Sequence, residues 1–212
     1  MHPIMAIKKH ASGGGGGSLY TYIGTAVANS ENTVNFPTGW AVGDLLIGYA
    51  TGGSGVPQTT PTGWTVVSAG TNGCFVCYKV AASGDSAFSA GSTTGYYAVS
   101  VFRRTSGTPT LDVNNLIEYT TTGLGTAPTL ASSTSGELLF VVFGSSYTHL
   151  GSPDPATTSG IDTMLYNTNG FGGCGLVGNY TLTTTSGSFG GQTCTLPAII
   201  GYPAMALSML FK

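Results

Sequence analysis

Pro37-Thr38-Gly39-Trp40-Ala41-Val42-Gly43-Asp44-Leu45-Leu46-Ile47-Gly48-Tyr49-Ala50 is the stretch whose reading decides the fold of this chain. Its first four residues return as Pro61-Thr62-Gly63-Trp64. Each copy sets a chain-fixing proline and a permissive glycine just before a large ring, the chemistry of a turn that delivers an aromatic side chain to the start of a strand. Between the copies, Val42-Gly43-Asp44 reads as a turn and Leu45 to Ala50 as a short apolar run, an interior strand against which neighbours pair.

Working outward, short strand candidates follow one another, each closed by Gly, Pro, Ser or Asn, and no helical period emerges. Leu19–Ala28 and Thr33–Phe36 precede the central run at Asp44–Ala50. Trp64–Ala69 and Cys74–Val80 are joined by Gly70-Thr71-Asn72-Gly73, whose Asn-Gly pair signals a hairpin. Tyr96–Arg104, Leu111–Thr120, Glu137–Phe143, Thr163–Tyr166, Gly175–Leu182, Gln192–Leu196 and Ala204–Phe211 complete the series. Many short strands without helices to carry parallel crossovers imply an all-β, antiparallel β-sandwich or jelly-roll-like fold.

Some of these strands are apolar on both faces. Leu138, Phe140 and Val142 alternate with Leu139, Val141 and Phe143, and the central run behaves alike. One sandwich buries one face of each sheet, so such strands call for cover by a long loop or by another subunit. In the last strand Met205, Leu207, Met209 and Phe211 share one face, which places it deep in the core.

Composition bounds what the molecule does. Its 212 residues are 41% hydrophobic, enough for a real core, yet only 7% are charged, against about 25% in an average domain. The exterior must be built from Thr, Ser, Gly, Asn and Tyr, and a surface of that kind is expected to be buried against a partner. The 34 glycines do not mean disorder, because 11 Tyr and 9 Phe accompany them. A net charge of -2 with six dispersed basic residues argues against nucleic-acid binding. No apolar run approaches the ~20 residues that span a bilayer, and no secretory apolar core opens the chain, so synthesis in a cytoplasm without membrane insertion is expected.

Residues 1–18 differ from the rest. His2-Pro3-Ile4-Met5-Ala6-Ile7-Lys8-Lys9-His10 leads into the glycine tract Gly13 to Gly17, a flexible tether. The segment reads as a docking arm that inserts Ile4, Met5 and Ile7 into a neighbouring subunit with Lys8 and Lys9 beside them; the alternative is a frayed terminus. Residues 19–212 then form a single sandwich domain.

Chemistry-bearing residues are sparse. Cys74 and Cys77 lie three apart in a strand and so point to opposite faces, which prevents shared metal coordination. Cys174 and Cys194 flank an expected hairpin; free buried thiols are the expected state and a Cys174–Cys194 disulfide the minor alternative. His149, Asp154 and Asp162 fall in a Gly/Ser/Pro-rich loop without a nucleophile elbow or metal-spaced histidines, so neither an enzyme nor a cofactor is expected. Asp44, Asp85 and Asp112 read as turn acceptors of backbone N–H groups. Arg103 and Arg104 fall on opposite faces, one of them expected to pair with Glu118 or Glu137. Trp40, Trp64, Tyr96 and Tyr97 could form a sugar-stacking platform if they are exposed.

Taken in order, Pro-x-Gly-Trp, Val42-Gly43-Asp44-Leu45-Leu46, Pro61-Thr62-Gly63-Trp64-Thr65-Val66-Val67, Tyr78-Lys79-Val80-Ala81 with Gly84-Asp85, and Val99-Ser100-Val101-Phe102-Arg103 resemble a glycine- and threonine-rich β-sandwich domain of tailed-bacteriophage virion proteins. The resemblance spans roughly Tyr20 to Arg104 and brings no catalytic residues. It implies a structural virion protein. The lone domain with a short arm, lacking a fibre shaft, favours a capsid decoration (cement) protein, with the major capsid protein or other virion proteins as partners. Apolar strand faces and the arm would be buried on capsid subunits. Decoration subunits commonly sit at symmetry axes, so a homo-oligomer, a closed trimer, is expected. The alternatives are a tail-fibre or baseplate adhesin, or a carbohydrate-binding module.

Overall fold

The computed structural model describes residues 18–29, 33–52, 59–69, 74–91, 95–119, 123–132, 134–145, 158–159, 163–166, 175–183, 185–196 and 204–212. The first half of the chain supplies β1 (Tyr20–Asn29), β2 (Val34–Asn35), β3 (Leu45–Gly52), β4 (Thr65–Ser68), β5 (Cys74–Val80), β6 (Ala87–Phe88) and β7 (Gly95–Arg104). The second supplies β8 (Leu111–Tyr119), β9 (Gly123–Thr126), β10 (Leu130–Ser132), β11 (Leu138–Ser145), β12 (Thr158–Ser159), β13 (Thr163–Tyr166), β14 (Gly175–Leu182), β15 (Gly187–Phe189), β16 (Thr193–Leu196) and β17 (Ala204–Phe211). The fold is the expected all-β antiparallel sandwich. Its two five-stranded sheets run β1-β7-β3-β5-β4 and β13-β14-β11-β17-β8, so each half of the chain builds one sheet.

The main core lies between the sheets. Leu45, Ile47, Tyr49 and Phe102 from the first sheet meet Leu138, Phe140, Val142, Leu207, Met209 and Phe211 from the second. The face of β17 predicted to be deep is there, and β17 lies between β11 and β8. Cys74 belongs to this core and Cys77 to the opposite face of the first sheet, as period-two geometry requires.

The doubly apolar strands are covered by the chain itself. Over the outer face of the first sheet, the β2–β6 pair brings Val34, Phe36, Phe88 and Ala90 onto Leu46, Phe75, Tyr97, Val99 and Val101, with Trp40 and Trp64 packed alongside. Phe88 lies so close to Gly48 that a Cβ there would stand 2.7 Å from its ring, which is why this central strand carries a glycine. Over the outer face of the second sheet, Ala127, Leu130 and Phe189, from the β9–β10 and β15 region, cover Leu139, Val141, Phe143, Ala206 and Leu210. The apolar strand faces expected to dock on capsid subunits are therefore occupied from within. Burying a phenylalanine or leucine in this way contributes about 1.5–3 kcal/mol per side chain, so these small covers hold the outer faces closed.

The two halves share one topology. Reading β8, β17, β11, β14 and β13 in place of β1, β7, β3, β5 and β4 reproduces the strand order of the first sheet. The register agrees residue by residue. Leu45 faces Phe102 and Val80, and Leu138 faces Phe211 and Leu182. Thr65 faces Tyr78, and Thr163 faces Tyr180, each pair followed by a bulge at the same position, Val66/Ser68 and Met164/Tyr166. A second bulge recurs where β1 leaves β7, at Tyr22/Gly24, and where β8 leaves β17, opposite Leu210/Phe211. The halves pack about a pseudo-two-fold: Phe102 meets Tyr180 at 5.1 Å and 74°, and its counterpart Phe211 meets Tyr78 at 5.3 Å and 73°. The sandwich is thus an internal duplication whose two copies bury the same face against each other.

Candidate interaction surface

The repeated Pro-Thr-Gly-Trp phrases form the turns that the sequence demands. Trp40 N–H reaches Pro37 O at 3.5 Å and Trp64 N–H reaches Pro61 O at 3.2 Å, with Gly39 and Gly63 at φ 96° and 81°. A positive φ at the third residue is the type II requirement that glycine meets without strain. Trp64 leads straight into β4, whereas Trp40 is followed by a second turn, Ala41 to Asp44, before β3 begins.

Neither tryptophan forms an open platform. Trp40 sits edge-on to Phe36 at 5.3 Å and 85°, and Trp64 tilts on Phe88 at 5.1 Å and 51° with the Lys79 ammonium 5.9 Å from its ring centre. Tyr97 is 0% exposed and packs near Phe88 inside the outer core. The alternative of a four-ring sugar platform from Trp40, Trp64, Tyr96 and Tyr97 is corrected at Tyr97, because a ring enclosed by the β2–β6 cover presents no face to a sugar. The backbone of Tyr96 pairs with Asn29 and Thr51 in β7, and its side chain lies outside the described residues. The nearly parallel ring pair Tyr22–Tyr180, at 5.0 Å and 24°, joins the two sheets.

Ionic groups close the strand ends. Asp44, 2% exposed, takes Arg103 Nε at 2.8 Å on one oxygen and Nη2 at 2.9 Å on the other, and also accepts Ala41 N–H at 2.8 Å. Arg103 Nη2 donates further to Gly39 O at 2.9 Å, tying the first tryptophan turn to the end of β7. The planar fork of arginine fits this bidentate geometry. Asp85 repeats the device, accepting Ala82 N–H at 2.7 Å and pairing with Lys79 at 2.7 Å. Burial pushes the Asp85 carboxyl up, but the Lys79 hydrogen bond, the Ala82 N–H and the Lys79 charge outweigh it and leave its pKa below the ordinary value. The turn-acceptor reading of Asp44 and Asp85 is met; the expected pairing of Arg103 or Arg104 with Glu118 or Glu137 gives way to Arg103–Asp44. Arg104 instead donates from Nη1 to Thr108 O at 2.9 Å and lies 6.0 Å from the Tyr20 ring.

In the second half Glu137 holds the place of Asp44 and Lys212 that of Arg103. Glu137 is 0% exposed; Thr134 Oγ1 donates to its Oε1 at 2.8 Å, while its Oε2 has no partner. Lys212 pairs with Asp112. Sequence reasoning missed this correspondence, although Gly43-Asp44-Leu45-Leu46 and Gly136-Glu137-Leu138-Leu139 both stand in the chain.

Ile4, Met5, Ile7, Lys8 and Lys9 lie outside the described residues, as do Cys174, His149, Asp154 and Asp162. Cys194 pairs through its backbone with Thr158 and Gly125, and its side chain lies outside the description. The hairpin expected between Cys174 and Cys194 does not form, since β14 pairs with β11 and β13 while β16 pairs with β9 and β12. Cys77 is a free thiol whose pKa burial pushes up, which keeps it protonated and unreactive. Among the described residues no group of three or more His, Cys, Asp or Glu side chains is placed to hold a metal ion. Among them also, no helix is long and apolar enough to cross a membrane. Comparison of the chain with protein-family models, curated proteins and solved structures finds no match.

Proposed function

We propose that this chain is a structural virion protein of a tailed bacteriophage, a decoration protein bound to the outside of the head through the major capsid protein, made in the host cytoplasm and working in the virion. The reading rests on the resemblance of Tyr20 to Arg104, and the observation that carries it is an exterior nearly devoid of charge on a sandwich whose apolar faces are closed from within. Such a body offers polar, hydrogen-bonding surface for close packing with few ions to desolvate. Because β3, β11 and β17 are covered, the capsid contact falls to sheet edges, turns and the arm carrying Ile4, Met5, Ile7, Lys8 and Lys9. No second reading gains support from the rings, with Tyr97 enclosed and both tryptophans engaged.

Reconstruction of an intact particle that carries the chain is the test. Copies at regular positions on the capsid lattice are the expected result. Copies confined to the tail would transfer the chain to the adhesin class, and purified chain that neither occurs in particles nor binds heads would overturn the virion role.

A further inference from the structure

Four strands end the two large sheets, and three of them are blunted against pairing with another chain. β4 and β13 are four residues long and bulged. β8 is long but carries Asp112, paired with Lys212, and Glu118, so two copies of it would bring charged side chains and their partners into one seam. β1 is neither short nor charged, and its one bulge lies near its start. It is ten residues long with no charged residue and no proline, and no described strand pairs with its second edge. Its first outward-edge donor, Tyr20 N–H, is taken by Ser18 Oγ at 3.1 Å, and its bulge falls at Tyr22/Gly24, which leaves Thr25 to Asn29 as a regular edge with no partner strand among the described residues.

We infer that the β1 edge of one copy pairs antiparallel with the β1 edge of a second copy. Centred on Val27, this register sets position 25 against 29, Ala26 against Ala28, and Val27 against itself on the two-fold. Val27 is 45% exposed, one of three large hydrophobic residues so exposed among the described residues. Covering it supplies the apolar centre of the contact, and nothing along the seam repels. The equivalents of Val27 and Asn29 in the other half are Leu116 and Glu118, so the same frame carries a charged edge there and a neutral edge here. A contact of this kind is isologous and closes at two copies; it does not build the trimer expected from the resemblance. It holds whether or not the chain resides on a capsid.

Sedimentation equilibrium of the full chain, from about 1 µM to 1 mM because a contact under ~1,200 Å² belongs to the weak class, reads the association directly. A monomer–dimer equilibrium is expected. Val27→Lys and Val27→Glu, at an exposed site, should melt as the wild type does and each raise the dimer Kd about tenfold or more by opposing like charges across the axis. Mixing the two variants should restore a dimer. A monomer throughout, a trimer, or a dimer indifferent to both substitutions would overturn the inference. So would a dimer abolished by deleting residues 1–17 while surviving Val27→Lys, which would assign assembly to the arm.

Discussion

Leu45 and Leu138 occupy the same point in two copies of one frame, yet the copies are finished differently. The first half closes its outer face with two tryptophan turns and the two-residue strands β2 and β6; the second uses the β9–β10 segment and β15. The first half ends β7 with Arg103, whose fork reaches both oxygens of Asp44. The second ends in Lys212, a single ammonium on a flexible stem, which goes to Asp112 and leaves Glu137 Oε2 buried without a partner. The difference teaches where specification resides. Period-two apolar alternation and two bulges determine the ladder, and many side-chain sets satisfy them. Polar closure of the strand ends depends on one residue type at one place.

The largest expected effect tests whether the frame is energetically as well as geometrically repeated. Phe102→Ala and Phe211→Ala each empty a fully buried, equivalent site packed on a tyrosine of the other half. Each should cost about 3–5 kcal/mol in urea unfolding, with the two losses within ~1 kcal/mol of one another. A loss confined to one variant would break the equivalence.

Next in size is an alkaline weakness belonging to the first half. Burial drives the Tyr20 hydroxyl up to about 12; Arg104 opposes the shift and Glu137 adds to it. The folded pKa lies above the unfolded value near 10, so the contribution is complete below pH ~10 and is lost as pH rises toward the folded value, about 2–3 kcal/mol in all. Tyr20→Phe should flatten that part of the alkaline limb and, because the buried hydroxyl has no partner, cost nothing near neutrality. An unchanged alkaline limb in this variant would place the sensitivity elsewhere.

The third test sets the two acids against each other. Asp44→Asn weakens a bidentate ion pair whose carboxylate is buried but whose arginine is 45% exposed, and should cost about 1–3 kcal/mol. Glu137→Gln keeps the acceptor for Thr134 and replaces an oxygen that has no partner, so its cost should stay below ~1 kcal/mol. Equal costs would mean that the second half closes its strand end as firmly as the first.

How far the chain discloses this in advance follows the same division. β3, β11 and β17 are legible because they are apolar on both faces, and β7 because Tyr97, Val99 and Val101 alternate with Ala98 and Phe102. The strands that went unread, β6, β9, β10, β12 and β15, are two to four residues long, too short for any period to register. β6, β10 and β15 also supply cover residues, so the fate of Tyr97 could not be read: alternation assigns a residue to a face, and only a distant segment decides whether that face meets water. The duplication is masked because equivalent positions often differ, as with Cys77 and Asn179 or Ser100 and Met209, and because insertions change the spacing between copies. Of the candidate site, the turns around Trp40 and Trp64 were legible from their glycines, while the Asp44–Arg103 closure joins residues that local patterns do not connect.

The smallest effect sharpens the comparison at acid pH. Asp85 has no acidic counterpart in the second half, where Thr183 to Gly187 carry no carboxylate. Its folded pKa lies below the unfolded value of ~3.9, so the stability it contributes is complete above pH ~4 and fades as pH falls through the folded value. Asp85→Asn keeps an acceptor for Ala82 N–H and removes only the charge facing Lys79. The loss should be under ~1 kcal/mol, since the pair sits partly in solvent, and should shrink with added salt. Thermal melts of both proteins should therefore differ at pH 6 and converge as the pH is lowered below ~4. A difference that persists at the lowest pH would mean that Asp85 acts through its turn alone, and the first half would then owe its firmer strand end to Asp44 and Arg103 without help from the second ion pair.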